Sequence, residues 1–192
     1  LPVRAGGRAQ RNVPIVWLEN QIANDKQTYA VVDYCSASRN GEPFAALIEK
    51  RKYLPNPVTR FCTTELKIRT QYRYLTEELG WTEWDNCVGL RADEPRRVAR
   101  MKGDRKSETV VMPMAEAGHT IEDVTRFWES QDFDLELPGG TNHFGNCVGC
   151  FLKGRNRLQK IALADPSHFD WWIEQEAKIG STFRIDRPTY QQ

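Results

Sequence analysis

Apolar residues in this chain alternate with polar ones over some stretches and recur at helical spacing over others, and the changes of period mark out its elements. Val13-Pro14-Ile15-Val16-Trp17-Leu18 and Tyr29-Ala30-Val31-Val32-Asp33-Tyr34 are short β-branched or aromatic runs with polar flanks, which predicts a strand in each. Ser38 to Pro43 reads as a turn and Phe44 to Tyr53 as a helix. From Thr63 to Leu79, the residues Leu66, Tyr72, Leu75 and Leu79 fall at helical spacing, with Thr63 or Thr64 to cap the start and Gly80 to stop it. Asn86 to Leu90 and Thr109 to Met114 predict two further strands. Thr120 to Gln131 predicts an amphipathic helix with Ile121, Val124, Phe127 and Trp128 on one side and a capping box of Thr120 with Asp123. A polar, Gly-rich loop from Asp132 to Asn146 leads into helices over Leu152 to Leu163 and Pro166 to Lys178, broken at Asp165-Pro166. Strands alternating with helices predict α/β layers around a mostly parallel sheet, followed by a helical C-terminal part.

Composition leaves that picture in place. With 192 residues, 40% hydrophobic, 28% charged and a formal charge of +1, the chain reads as one globular domain over 1–192, with 1–12 basic and irregular. No repeat, heptad or low-complexity linker marks a second domain. No apolar run approaches the roughly 18 residues that cross a bilayer, and no charged-then-apolar leader opens the chain, so a cytoplasmic protein without a membrane partner is expected. Five cysteines are an odd number, which suits a reducing compartment where thiols ligate or react rather than cross-link.

The chemistry concentrates at Cys147-Val148-Gly149-Cys150, with Cys62 far upstream in Arg60-Phe61-Cys62-Thr63-Thr64. Two residues between thiolates let both sulfurs reach one metal, and Gly149 is expected to ease the tight turn. A thioredoxin-like redox dithiol would sit at an early strand-to-helix junction, whereas this pair follows a long late loop. Cys62 stands at a helix start beside Arg60, where the dipole and the cation favour a thiolate. Spacing alone is met equally by a zinc site, with His143, His168 or Cys35 as fourth ligand, and by an iron–sulfur cluster on three cysteines. Cys35 and Cys87 lie in apolar strand-like runs and read as core.

A second concentration is positive. Arg91, Glu94, Arg96 and Arg97 follow a strand ending in Gly89-Leu90, where ligands of open α/β sheets bind and where guanidinium forks suit phosphate or sulfate. Lys67, Arg69 and Arg73 lie on the helix after Cys62 and are expected to share an anion with Arg91, while Lys153, Arg155 and Arg157 add charge after the C-x-x-C. An anionic substrate between these segments, or the phosphate backbone of a nucleic acid, would satisfy the same charges. His119, His143 and His168 form no metal-helix pattern, and Trp171-Trp172 with Glu174 and Glu176 reads as a helix with one core and one solvated side.

Ser38-Arg39-Asn40-Gly41-Glu42-Pro43-Phe44, the segment from Pro57 to Lys67, Val88 to Arg97, Gly145 to Lys153 and the tail from Trp171 through Arg187-Pro188 together resemble the phosphoadenosine phosphosulfate reductase family of the PP-loop, adenine nucleotide alpha-hydrolase-like group, and more its uncharacterised phage-type branch than the assimilatory reductases. The resemblance covers most of the chain from Val13 onward. It implies a Rossmann-like parallel sheet with an adenylyl nucleotide at the strand ends, sulfur transfer, reduction or activation as the chemistry, and a 4Fe-4S cluster favoured over zinc. By position, Cys62, Cys147 and Cys150 resemble the ligands, Arg91 with Glu94 resembles the G-x-R-x-x-E stretch beside the substrate, and Arg60, Lys67, Arg96, Arg97 and Lys153 are expected to contact it. The family's Ser-Gly-Gly-Lys-Asp-Ser phosphate loop is absent, and Arg4-Ala5-Gly6-Gly7-Arg8 is a weak substitute, which implies an N-terminally truncated chain or lost nucleotide hydrolysis. The reductases' C-terminal Glu-Cys-Gly-Leu-His stretch is absent too, so reduction by a tail cysteine is not expected. The competing expectation is a non-catalytic, zinc-containing nucleic-acid-binding or accessory module.

Overall fold

The first two strands are joined by only Asn24 and Asp25, and both adopt left-handed backbone conformations (φ 49° and 58°). Such two-residue loops match the twist of an antiparallel hairpin, and Asn and Asp tolerate that conformation better than most residues. In the computed structural model, which describes residues 14–101, 107–134, 137 and 144–192, β1 (Trp17–Ala23) accordingly pairs antiparallel with β2 (Lys26–Val32), from Trp17 opposite Val32 to Ala23 opposite Lys26. This departs from the expected parallel order. The first strand also lies later than its β-branched run, because the hairpin loop sets the register; Val13 lies outside the described residues.

The chain divides into two compact units, Leu1–Glu78 with Asn142–Gln192, and Leu79–Thr141. The first holds the hairpin, α1 (Glu42–Arg51), a continuous helical stretch α2 (61–78), and, after the second unit, α6 (Arg155–Ala164), a 3₁₀ turn (Pro166–Phe169) and α7 (Asp170–Ile179). The second holds β3 (Trp84–Cys87), α3 (Pro95–Met101), β4 (Glu108–Val111), α4 (Pro113–Glu116) and α5 (Ile121–Glu129), with β3 and β4 parallel and Trp84 opposite Glu108. The protein is therefore mixed α/β, and among the described residues each sheet has two strands. The predicted cap of α5 is present: the Thr120 amide donates to the Asp123 carboxylate at 2.9 Å. No described helix is long and apolar enough to cross a membrane.

The core of the first unit is aromatic. Leu47 and Ile48 of α1, Phe61 of α2, Phe151, Ile161 of α6, Phe169, Trp172 and Phe183 are buried together. Phe183 meets Trp172 at 4.8 Å between ring centroids and stacks on Phe151 at 5.9 Å. Trp171 lies against Gly41, where a Cβ would come 2.7 Å from the indole nitrogen and where φ is +81°. Both the space and the backbone thus call for glycine at 41.

Two buried carboxylates, Glu65 and Glu176, hold this unit together, and neither is legible in the sequence as a buried anchor. Glu65, 1% exposed, receives Arg51 at 2.5 Å and Arg69 at 2.7 Å, with Arg73 at 3.8 Å. It lies in a π-helical segment, Thr64–Arg69, where the Thr70 hydroxyl donates to the Glu65 carbonyl at 2.8 Å and Asn20 of β1 donates to that hydroxyl at 3.3 Å. A widened turn bonded by side chains in this way lets the helix accept a strand residue. Glu176 of α7 accepts the backbone amides of Phe183 (3.1 Å) and Tyr190 (2.8 Å), and so anchors the C-terminal segment. The expected solvated side of this helix is thus corrected at Glu176, which is buried.

Replacing Glu65 by Ala leaves three guanidiniums without their shared partner. The expected loss is roughly 2–3 kcal/mol, below the full cost of breaking a buried pair because the arginines reach water. Urea denaturation of the Glu65→Ala protein measures it.

Candidate metal centre

Cys62 follows Phe61 and Cys150 precedes Phe151, and both phenylalanines are buried in the same core. The two thiols are therefore positioned by their neighbours. Cys62 itself and Val148 pack partly buried against that core, while Cys147 is exposed. The loop folds as two successive turns, the Cys150 amide donating to the Cys147 carbonyl at 3.2 Å and the Lys153 amide to the Cys150 carbonyl at 2.8 Å. Its left-handed residue is Asn146 (φ 63°), so Gly149 is not needed for a strained turn as expected. It is needed for space: a Cβ at 149 would lie 2.3 Å from the Trp172 indole nitrogen.

The C-terminal segment holds this loop from the other side. Tyr190 donates its hydroxyl to the Gly149 carbonyl, and Arg187 donates to the Lys153 carbonyl at 2.7 Å. Burial, and then the nearby Cys150 and Glu176, push the Tyr190 phenol well above its ordinary range, so it stays a protonated donor.

The three cysteines sense one another. Burial pushes the Cys62 thiol up, hydrogen bonding from Thr63 opposes this, and the charges of Cys150 and Cys147 push it further up. The expectation that Arg60 and the helix start favour a Cys62 thiolate is thereby corrected: desolvation outweighs them, and the Arg60 guanidinium turns to the Thr63 hydroxyl at 3.4 Å. Lys153 is buried nearby, its pKa lowered by burial and raised by Cys150 and Cys147. Thiol sulfur is a soft donor, so by residue type these three cysteines suit zinc or iron. Among the described residues, however, no group of three or more His, Cys, Asp or Glu side chains is placed to hold a metal ion. Of the alternative zinc ligands, His143 lies outside the described residues, His168 packs on Phe144 at 5.4 Å, and Cys35 is exposed in the turn after β2. Cys87 is exposed as well, so the core reading of Cys35 and Cys87 is corrected.

The basic residues are distributed differently from expectation. Arg69 and Arg73 are engaged by Glu65, whereas Lys67 is exposed and makes no hydrogen bond or ion pair among the described residues. In the second unit the Arg91 guanidinium pairs with Asp93 at 2.8 Å and lies 3.5 Å from Glu94, which also binds Arg97. Burial pushes the Glu94 carboxyl up, but the Arg91 amide and the two guanidiniums outweigh it and hold it low. Arg96 is exposed and, among the described residues, without such a partner. The stretch after β3 is thus a largely internally paired turn, with Ala92 donating to the His119 carbonyl at 2.9 Å.

No family model matches the chain, and no solved structure matches it. The chain is similar to an uncharacterized nin region protein, ORF290, of Escherichia phage lambda, at 33% identity over 123 residues. That match covers 64% of this chain and 38% of the phage protein, so the chain spans well under two thirds of that relative's length.

Gly149→Ala forces Trp172 or the loop to move, with an expected loss of about 1–3 kcal/mol by thermal or urea unfolding. In metal-free protein, iodoacetamide is expected to modify exposed Cys147 before Cys62, and Cys62 labelling to keep accelerating above the ordinary thiol pKa. Because the Cys62 pKa is raised on folding, its contribution to stability is complete below the unfolded thiol pKa and declines as pH rises through the folded one. Mass-spectrometric labelling rates across pH measure this.

Proposed function

We propose that this chain belongs to a sulfur-handling enzyme similar to the phosphoadenosine phosphosulfate reductases, with Cys62, Cys147 and Cys150 holding an iron–sulfur cluster. The observation that carries the reading is that Phe61 and Phe151, the chain neighbours of Cys62 and Cys150, are seated in one core from sequence positions far apart, with Cys62 packed against it. A cluster held by three cysteines supplies one iron with an open position for sulfur. The residues of the chain supply the rest. Phe61, Trp172 and Tyr190 keep the loop in place, and Lys153 sets positive charge beside the thiolates.

In this reading the arginines after β3, with Arg96 the most accessible to a ligand, meet the phosphate or sulfate of an adenylyl or sulfo-nucleotide by charge-assisted hydrogen bonds. The nucleotide-binding parallel sheet of that family belongs to the same proposal, as do contacts from Arg60, Lys67 and Arg97. Similarity to a lambda protein supports a phage-type member working in a host cytoplasm.

Anaerobic purification followed by visible absorption and iron and sulfide analysis tests the cluster. A brown protein with iron and acid-labile sulfide is expected, with the colour lost in Cys62→Ser, Cys147→Ser and Cys150→Ser. A colourless protein carrying one zinc overturns the cluster and transfers the site to the structural-zinc, nucleic-acid-binding alternative, which salt-dependent DNA binding would then identify.

A further inference from the structure

The C-terminal part of the first unit carries a half-open cavity of about 200 Å³ that no cysteine lines. Leu158 of α6, Phe169 and Tyr190 give it apolar walls, and Arg155, Arg184 and Arg187 also line it. We infer that this cavity is a binding site for a small organic anion with a single aromatic ring.

Size decides the body of the ligand. A dry cavity of about 150 Å³ accepts benzene, whereas pockets for drug-sized ligands begin at about 300 Å³. One ring with one charged group matches this volume. The walls suit a ring: Phe169 and Tyr190 stack on each other at 5.5 Å, and aromatic side chains favour offset or edge contacts with a further ring.

Charge decides the head group. Three arginines line the cavity, and the one carboxylate residue on its wall, Glu176, already uses both oxygens on the Phe183 and Tyr190 amides. Arg184 is held by Asp186, and Arg187 lends one nitrogen to the Lys153 carbonyl. Arg155, at the first turn of α6, makes no hydrogen bond or ion pair among the described residues and keeps its whole fork for a ligand. Carboxylate, sulfate and phosphate esters all match such a fork bidentately. Tyr190 spends its hydroxyl on Gly149, which leaves the arginines as the polar determinant.

Calorimetric titration of the full chain with phenyl phosphate and with benzoate tests the site, against inorganic phosphate and benzyl alcohol as single-feature controls. At least one ring anion is expected to bind about tenfold or more tightly than either control, and the stronger of the two identifies the head group. Arg155→Ala is expected to weaken it about tenfold, while Arg157→Ala, which removes an exposed charge from the same helix outside the cavity, leaves affinity unchanged. Ala162→Phe, which fills the cavity from α6, is expected to abolish binding. Should that variant not fold, the arginine pair still decides. Absence of binding by both ring anions, equal binding of inorganic phosphate, or equal effects of the two arginine substitutions would overturn the site. No cysteine lines the cavity, so a preparation without iron leaves this test unaffected.

Discussion

The burial of Phe61 and Phe151 in one aromatic core is the constraint on which the rest of the first unit depends. Each is covalently next to a cysteine, so the free energy of seating two phenylalanines, about 1.5–3 kcal/mol apiece, also determines where two thiols stand. Trp172 completes the arrangement by lying where any side chain at 149 would be, which fixes the loop between the thiols against a rigid indole.

The C-terminal segment is held to this core by polar contacts that are individually modest and collectively specific. Glu176 accepts two backbone amides, Arg187 reaches the Lys153 carbonyl, and Tyr190 reaches the Gly149 carbonyl. Each satisfies a backbone group that burial would otherwise leave unpaired. Glu176, Arg187 and Tyr190 also line the apolar cavity, so one segment serves both places. Charge is managed similarly elsewhere: Glu65 gathers three arginines, and Glu94 with Asp93 neutralises the turn after β3. Arg69, Arg73, Arg91 and Arg97 are thereby paired, whereas Lys67, Arg96, Arg155 and Arg157 have no side-chain ion pair or hydrogen bond among the described residues.

Local chemistry was legible where the deciding forces are local. Helices α1, α2, α5, α6 and α7 lie within a few residues of their predicted limits, because periodicity, caps and the Asp165-Pro166 break act over one or two turns. The capping box at Thr120 and Asp123 is as written in the residues. The three cysteines were legible as candidates because thiol spacing is a chemical statement independent of fold.

Pairing, burial and protonation were not legible, because each depends on what another part of the chain brings. Antiparallel order came from a two-residue loop with left-handed Asn24 and Asp25, not from the β-branched runs. Cys35 and Cys87 look like core residues in sequence and are exposed: Cys35 falls in the turn after β2, and for Cys87 alternation alone does not say which face of a short strand is covered. Cys62 has the neighbours of an activated thiolate, yet desolvation against the aromatic core and the charges of Cys150 and Cys147 raise its pKa. The sequence by itself determined which residues can bind a metal or an anion; the tertiary structure decided which of them are free to do so, because burial and ion pairing are set by distant partners.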